Sequence, residues 1–502
     1  MSVQQQSLDA LSTDHLQADL KGRSVRGGAL TLTSQGTQFA LQTISTVVLA
    51  RLLTPADFGL VAMVTAVTGL ASAFADFGLS EATIQRKEIT QEQVSTLFWI
   101  NLAIGLGLTL ITAALGPVLA SFYREPRLRN ITFVLSLTFL IGGLRVQPNA
   151  LLKRQMRYTA LAMRDIVSYA LAVPVAIVLA WRGAGYWALV GLPMTLNSVQ
   201  MALSWLLVRW KPGMPRHDAS LRSMLAFGGN VSASYLTITL NRSADGALVG
   251  WYWGAGPLGL YSRAYNLLML PIRQLSAPAA SVAIPAFSRL QGDPDRFARS
   301  FLRAASLMVW ICTPMFGYLF VAAGPVIALV LGNQWRDAAP VFQILAVSAL
   351  AQLFLEMSIW LLVSRGLSAR LIRLLLIISP ILIGSFAIGL PYGIKGVALA
   401  GSLVQIALLP WMLHFTFQGT NLTLARLGKA IVYPLSLCLI AILVAEFSLR
   451  LFVPEHVPGQ FLVSASGFAA AYLLAALIPK VREEVMSFKD LLAAFRLSRQ
   501  TV

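Results

Sequence analysis

Charge is scarce in this sequence. Only 12% of its 502 residues are Asp, Glu, Lys or Arg, about half the share of an ordinary soluble domain, while 57% are hydrophobic and the mean hydropathy is +0.70. A water-soluble globular protein is excluded. Cysteine is scarcer still: only Cys312 and Cys438 occur, both inside apolar stretches. That leaves no disulfide framework and no CxxC metal arrangement, and both read as small core residues. His15, His217, His414 and His456 are scattered, with no two at metal-ligand spacing. No GxxxxGK[ST] phosphate loop is present. These absences point to no catalytic residue, no metal, no cofactor and no built-in ATP motor.

Acidic residues are also few, 21 against 39 Lys and Arg, for a formal net charge of +18. In a soluble chain that excess would suggest nucleic acid; here the positive charges gather in alternate loops between apolar stretches, as membrane topology demands. Nucleic acid is therefore not the expected partner. The clearest clusters are Lys153, Arg154 and Arg157, then Arg209, Lys211, Arg216 and Arg222, then Arg289, Arg296, Arg299 and Arg303. The positive-inside rule places these loops and both termini in the cytoplasm. Arg124, Arg127 and Arg129 fall in an outer loop against that rule, through a misplaced boundary or as a functional patch.

What the sequence does have is apolar stretches of about 20 residues, each long enough to cross a hydrocarbon core roughly 30 Å thick. About fourteen recur, beginning near Ala29, Phe58, Thr96, Leu128, Asp165, Tyr186, Leu225, Ala264, Ala304, Ala338, Leu371, Gly396, Gly428 and Phe461. The first 28 residues are polar, with Asp9, Asp14 and Asp19 and no apolar core, so they are not a cleavable signal peptide. At the other end Val485, Phe488, Leu491, Leu492 and Phe495 share a helical face, with Lys489, Arg496 and Arg499 elsewhere, as in an amphipathic helix on the inner leaflet.

The apolar stretches repeat. LLTPADFGLVAM is matched 200 positions later by WYWGAGPLGLYSRA, which aligns Gly59 with Gly259 and Leu60 with Leu260. Gly27 and Gly28 align with Gly228 and Gly229 at a shift of 201, GPVLASFY at Gly116 with GPVIALVL at Gly324 at 208, and Ala188-Leu189 with Ala398-Leu399 at 210. The shift grows only as loops lengthen. Each repeat holds an even number of spans, so the halves enter the membrane in the same direction, a parallel repeat of the transporter kind. The expected architecture is all-α and integral to the membrane: about 14 transmembrane helices, in two six-helix lobes plus two C-terminal helices. The expected divisions are an N-terminal tail over 1–28, lobes over 29–210 and 221–420, two extra helices over 428–479 and an amphipathic tail over 480–502.

Some spans are too polar to be wrapped in lipid. Thr31, Gln35, Gln38, Gln42 and Ser45 recur at helical spacing in the first; Asn230, Ser234, Thr237, Asn241 and Asp245 do so in its repeat partner, with Arg242 beside them. Thr65, Thr68, Ser72 and Asp76 form a stripe in the second span. Such stripes line a shared aqueous cavity or glue helices together; the glutamines favour the cavity. Arg51, Arg242, Arg263 and Arg273 are the cations within or beside spans. Guanidinium grips phosphate oxygens bidentately, which suits an anionic, phosphate-bearing substrate. Asp76, Asp245 and Glu356 are the carboxylates placed to couple an ion, since desolvation lets a carboxyl exchange protons. They could instead only satisfy buried arginines, and Arg51 and Arg263 could simply snorkel. Glu446 lies in the extra helices and reads as an interface residue.

The stretch NRSADGALVGWYWGAGPLGLYSRAYNLLMLPIRQLSAPAASVAIPAFSRL, from Asn241 to Leu290, resembles the midsection of the polysaccharide transport family. These are the Wzx-type and WzxC-like flippases of the multidrug, oligosaccharidyl-lipid and polysaccharide exporter superfamily, which also holds the MATE transporters. ARLLTPADFGLVAM and GNQWRDAAPVFQILA are similar to family segments as well. The resemblance implies fourteen helices in two lobes and alternating access in a bacterial inner membrane. It also implies a substrate of undecaprenyl-pyrophosphate-linked oligosaccharide units, with a polysaccharide polymerase and chain-length machinery as partners. Where the family reads closer to Asn, one or two residues, Asp, Asn, this chain has Ser243, Ala244 and Gly246 around Asp245.

Two other functions compete. A small-molecule exporter of the same superfamily would favour acidic cavity residues, and a polysaccharide polymerase or ligase would want a large outer loop bearing acid and base groups. No outer loop here exceeds roughly 20 residues on these boundaries. The topology is directly testable: an alkaline-phosphatase fusion after Lys211 is expected to be inactive, and an active one would reverse the orientation.

Overall fold

The computed structural model describes residues 20–72, 74–75, 78–85, 89–208, 210–215, 243–452, 456–475 and 477, with side chains from Thr33 onward apart from those of Ala82 and Gln85. The chain divides into two compact units, Met1–Gly259 and Leu260–Val502. The regular structure of both, among the described residues, is helix, joined by turns and short irregular segments.

The first unit holds α1 (Leu20–Leu52), α2 (Pro55–Ser72), the short α3 (Leu79–Gln85), α4 (Gln91–Phe122), α5 (Arg127–Arg154), α6 (Tyr158–Trp181) and α7 (Trp187–Val208). Residues 243–253 are also helical and are labelled α8. Local chemistry sets several ends. Thr90 caps α4 through a capping box with Gln93, which satisfies two of the amides a helix start leaves open. Gly254, at φ 79°, separates α8 from the next helix, a backbone conformation that side-chain-bearing residues rarely adopt.

α4 and α5 pack closely, because small residues let their backbones meet. A Cβ on Gly143 would stand 2.6 Å from the Asn101 carbonyl oxygen, and one on Gly105 would stand 2.7 Å from that of Phe139. Beside them the Thr109 hydroxyl donates to Gly105 O at 2.8 Å and Ser136 O at 3.0 Å. α3 is tied to α5 by the Thr83 hydroxyl on Gln147 Oε1 (2.9 Å) and by Arg154 Nη1 on Thr83 O (3.0 Å). After α7 the chain folds back onto the start of α4. Trp210 Nε1 donates to Gln91 Oε1 at 2.7 Å, Gln91 Nε2 to Lys211 O at 2.8 Å and Gly213 N to Ser95 Oγ at 2.9 Å.

The glycines aligned by the repeat have a physical counterpart. A Cβ on Gly59 would overlap the Ala255 carbonyl, and a Cβ on Gly259 would overlap the Pro55 carbonyl. The contact is reciprocal, position for position. It holds residues 255–259 in the first unit although their helix, α9 (Ala255–Arg289), continues into the second.

The second unit continues with α10 (Pro294–Val321), α11 (Ala323–Val330), a 3-10 turn (Asn333–Ala338) and α12 (Ala339–Ser364). Then follow α13 (Ser368–Gly389), α14 (Gly393–Phe417), α15 (Leu424–Phe452) and α16 (Val457–Ala475). α10 packs on α15, α15 on α16, and α12 on α14. Arg365 and Arg370 close the end of α14 by donating to the carbonyls of Gly419 (2.8 Å) and Gln418 (2.9 Å). Leucines and phenylalanines such as Leu439, Leu443, Phe447 and Leu451 stay exposed along α15, as a lipid-facing surface requires.

Ten segments of the described chain are long and apolar enough to cross a membrane, one of them (Ser368–Phe417) comprising α13 and α14. The chain is a multi-pass membrane protein. Helices stand at every expected apolar stretch except the one near Leu225, which lies outside the described residues, as does the C-terminal amphipathic segment. Of the expected polar tail, residues 1–19 lie outside them too, and the chain is already helical at Leu20. Four boundaries need correction: the spans placed near Ala29, Asp165, Ala264 and Ala304 begin at Leu20, Tyr158, Ala255 and Pro294, and the earlier start at Tyr158 carries Arg164 and Asp165 into the helix.

Overpacking at the α4–α5 contact is expected to cost about 1–3 kcal/mol. Gly143→Leu should lower the thermal unfolding temperature in detergent, whereas Gly107→Ala, whose Cβ would meet nothing within 4 Å, should not.

Candidate functional site

The residues singled out from sequence fall in different places. On α1, Gln35 and Gln42 are exposed, Gln38 is half-buried with its amide donating to Ser34 Oγ at 2.9 Å, and Ser45 is buried. Arg51 is exposed in the last turn of the same helix. Asp245 is buried in α8, where its Oδ1 accepts the Gly246 amide at 2.7 Å. Those residues belong to the first unit. In the second, Arg263 is half-buried and Arg273 exposed on α9, Glu356 is half-buried on α12 and Glu446 half-buried on α15. Asp76, Asn241 and Arg242 lie outside the described residues.

The basic exception in the outer loop resolves into a short turn. α4 ends at Phe122 and α5 starts at Arg127, so Arg129 is helical and Arg124 sits in the turn at φ 55°. Arg127 grips Glu125 with both Nε (2.8 Å) and Nη2 (2.9 Å). That guanidinium holds the Glu125 carboxyl below the usual carboxylate range.

The densest polar cluster in the described spans is one the sequence reading missed. Arg164 is buried on α6 and donates through Nε (2.9 Å) and Nη2 (2.7 Å) to Oδ1 of Asp165. Its Nη1 reaches Asn149 Oδ1 on α5 (2.8 Å) and Ser204 Oγ on α7 (3.2 Å). Gln200 of α7 donates to the same Asp165 oxygen at 3.3 Å and accepts from Nη1 of Arg145 on α5. Three helices thus share one network. It lies at a common depth: at about 1.5 Å of rise per residue, Arg145 stands roughly 13 Å from the Arg154 end of α5. Arg164 stands about 9 Å from the start of α6, and Gln200 about 12 Å from the end of α7. All three distances run to the end of the helices that bears Lys153, Arg154 and Arg157.

Asp165 hides at a boundary when α6 is started too late, where an Arg-Asp dipeptide looks like ordinary loop chemistry. The signal was available. Tyr158-Thr-Ala-Leu-Ala-Met continues the apolar run upstream, so charges six and seven residues into a helix need partners. Chemically the cluster can hold and orient an anion; among the described residues no three His, Cys, Asp or Glu come together to bind a metal.

Comparison with known proteins gives a consistent picture. A family profile described as polysaccharide biosynthesis protein matches residues 48–340. The chain is 26% identical to the lipopolysaccharide biosynthesis protein WzxC of Escherichia coli (strain K12), over 66% of this chain and 68% of that one. It is 26% identical to the succinoglycan biosynthesis transport protein ExoT of Rhizobium meliloti (63% and 64%) and to the teichuronic acid biosynthesis protein TuaB of Bacillus subtilis (58% and 61%). The matched segments thus span about two thirds or less of these relatives. In fold the chain is similar to the lipid II flippase MurJ in an inward closed conformation, with TM-score 0.72 and 14% identity over 93% of this chain and all of that one. An inward-facing MATE transporter follows at TM-score 0.59 and 16% identity, over 78% of this chain and 96% of that one.

Breaking the Arg164–Asp165 pair from one side leaves a buried charge uncompensated, at a cost of about 3–5 kcal/mol. Arg164→Ala and Asp165→Ala are each expected to lower thermal stability in detergent, and the double variant to lose less than their sum. Additive losses would show that the two side chains act independently.

Proposed function

We propose a transport function from one premise: the chain belongs to the polysaccharide biosynthesis protein family, within the multidrug, oligosaccharidyl-lipid and polysaccharide exporter superfamily. It is a membrane transporter of polysaccharide biosynthesis. In our reading it flips undecaprenyl-pyrophosphate-linked oligosaccharide units from the cytoplasmic to the periplasmic leaflet of a bacterial inner membrane, by alternating access. Both termini face the cytoplasm, about fourteen helices form two six-helix lobes with two helices after them, and a polymerase receives the product.

The observation that carries this reading is polarity set inside otherwise apolar helices. Gln35 and Gln42 remain exposed on α1, and Arg145, Arg164 and Gln200 sit well within α5, α6 and α7. A lipid-facing surface gains nothing from such groups and bears their desolvation cost, whereas a path for a polar cargo uses them. The fold is that of MurJ, whose name records lipid II as its cargo. The rival reading, export of organic cations, would suit a cavity richer in carboxylate, and here the guanidiniums outnumber the acid in the one network described.

Within this reading Arg242, Arg273, Arg263 and Arg51, with Gln35, Gln38, Gln42 and Asn241, face the substrate, and Asp76, Asp245 or Glu356 couples an ion. Two experiments test it. Purified protein in liposomes should flip a lipid-linked oligosaccharide. Ala at both Arg242 and Arg273 should abolish polysaccharide export at normal protein levels, with Lys a partial rescue because an ammonium lacks bidentate geometry. Unchanged export in the double Ala variant would overturn the assignment of those arginines, and liposomes that flip no lipid-linked sugar would overturn the function.

A further inference from the structure

The network in the first unit is unbalanced. Asp165 offers one carboxylate, and Oδ1 of that carboxylate is taken by Arg164 and Gln200. Arg145 lies within electrostatic reach of both Arg164 and Asp165, yet among the described residues it makes no ion pair. Its hydrogen-bond partner is the neutral amide of Gln200. A guanidinium held inside a span beside a second guanidinium, without a carboxylate of its own, lacks half of its charge compensation. There is also room for what is missing. One turn back on the same face of α5 is Gly142, where an added Cβ would meet nothing within 4 Å, and helical side chains lean toward that preceding turn. Arg145 and Gln200 are half-buried, so the space beside them is reachable.

We propose that Arg145 anchors an anion site in the first unit, which takes a phosphate or diphosphate group. Gln200 holds the guanidinium in place. Asp165 neutralises Arg164 and limits the net charge of the empty site to one positive unit. The guanidinium fork matches phosphate oxygens bidentately, and the site's depth, near the basic end of α5, α6 and α7, suits a headgroup entering from that leaflet. As the diphosphate of a lipid-linked sugar, the ligand rests on the transport reading above; as an ordinary anionic phospholipid headgroup, it does not.

The test uses the full chain in nanodiscs, with inorganic pyrophosphate as probe and binding followed by calorimetry. In phosphatidylcholine discs the wild type should bind. Arg145→Gln should weaken binding by at least about tenfold, Arg145→Lys less, and Gly142→Leu should block the site while leaving every charge in place. Asp165→Asn, which removes a competing negative charge, should tighten binding, an opposite sign that a merely structural network does not produce. Size-exclusion profiles identify any misfolded variant, and Gln200→Ala then replaces it. Loss of pyrophosphate binding in phosphatidylglycerol discs would assign the site to the phospholipid headgroup; retained binding would assign it to the diphosphate. Equal affinity in wild type, Arg145→Gln and Gly142→Leu would overturn the proposal. Binding through Arg145 in a protein that flips no lipid-linked sugar would keep the site and reject the transport reading.

Discussion

A hydrocarbon interior supplies no hydrogen-bond partner, so each polar group carried into it must be met by another group of the same protein. Much of this structure is an answer to that constraint. Serine and threonine hydroxyls turn back onto carbonyls of their own helices, as Thr46 does on Gln42 (2.8 Å) and Ser204 on Gln200 (2.7 Å). Helix ends recruit arginines, as where Arg365 and Arg370 close α14. Where a hydroxyl cannot reach far enough, three helices pool their side chains, and Arg164 binds α5, α6 and α7 through Asn149, Asp165 and Ser204 at once. The network fixes the spacing of those helices and concentrates charge at one depth.

Much of the helical framework was legible because the signal is long and redundant: an apolar run of transmembrane length survives an error of several residues at either end. The same tolerance hid the network. Starting α6 near Asp165 instead of at Tyr158 shifts a span by about two turns, harmless for topology but decisive for two charges at its edge. α1 shows the other limit. Its glutamines share a face by spacing, yet Gln38 spends its amide on Ser34 within the same helix, a local bond that periodicity cannot reveal. Nor could spacing pair Arg145 with Gln200, which is contributed by a helix two spans later.

The site and the framework also differ in what they tolerate. The α4–α5 contact depends on the absence of atoms at Gly105 and Gly143, whereas the Arg164 network depends on the presence of every member, since removing one leaves a neighbour charged or unbonded within the span. The helical framework relies on both kinds of rigidity. Exposed surfaces such as those of α15 demand neither, and there any apolar side chain of suitable bulk will serve.

The reciprocal contact of Gly59 with Ala255 and Gly259 with Pro55 has the form of an isologous interface, in which residue i meets j and j meets i. Two subunits usually make such a surface; here two segments of one chain do. Gly59 and Gly259 thus behave as one position met twice, and the first side chain added to either would collide with a carbonyl of the segment that holds the other.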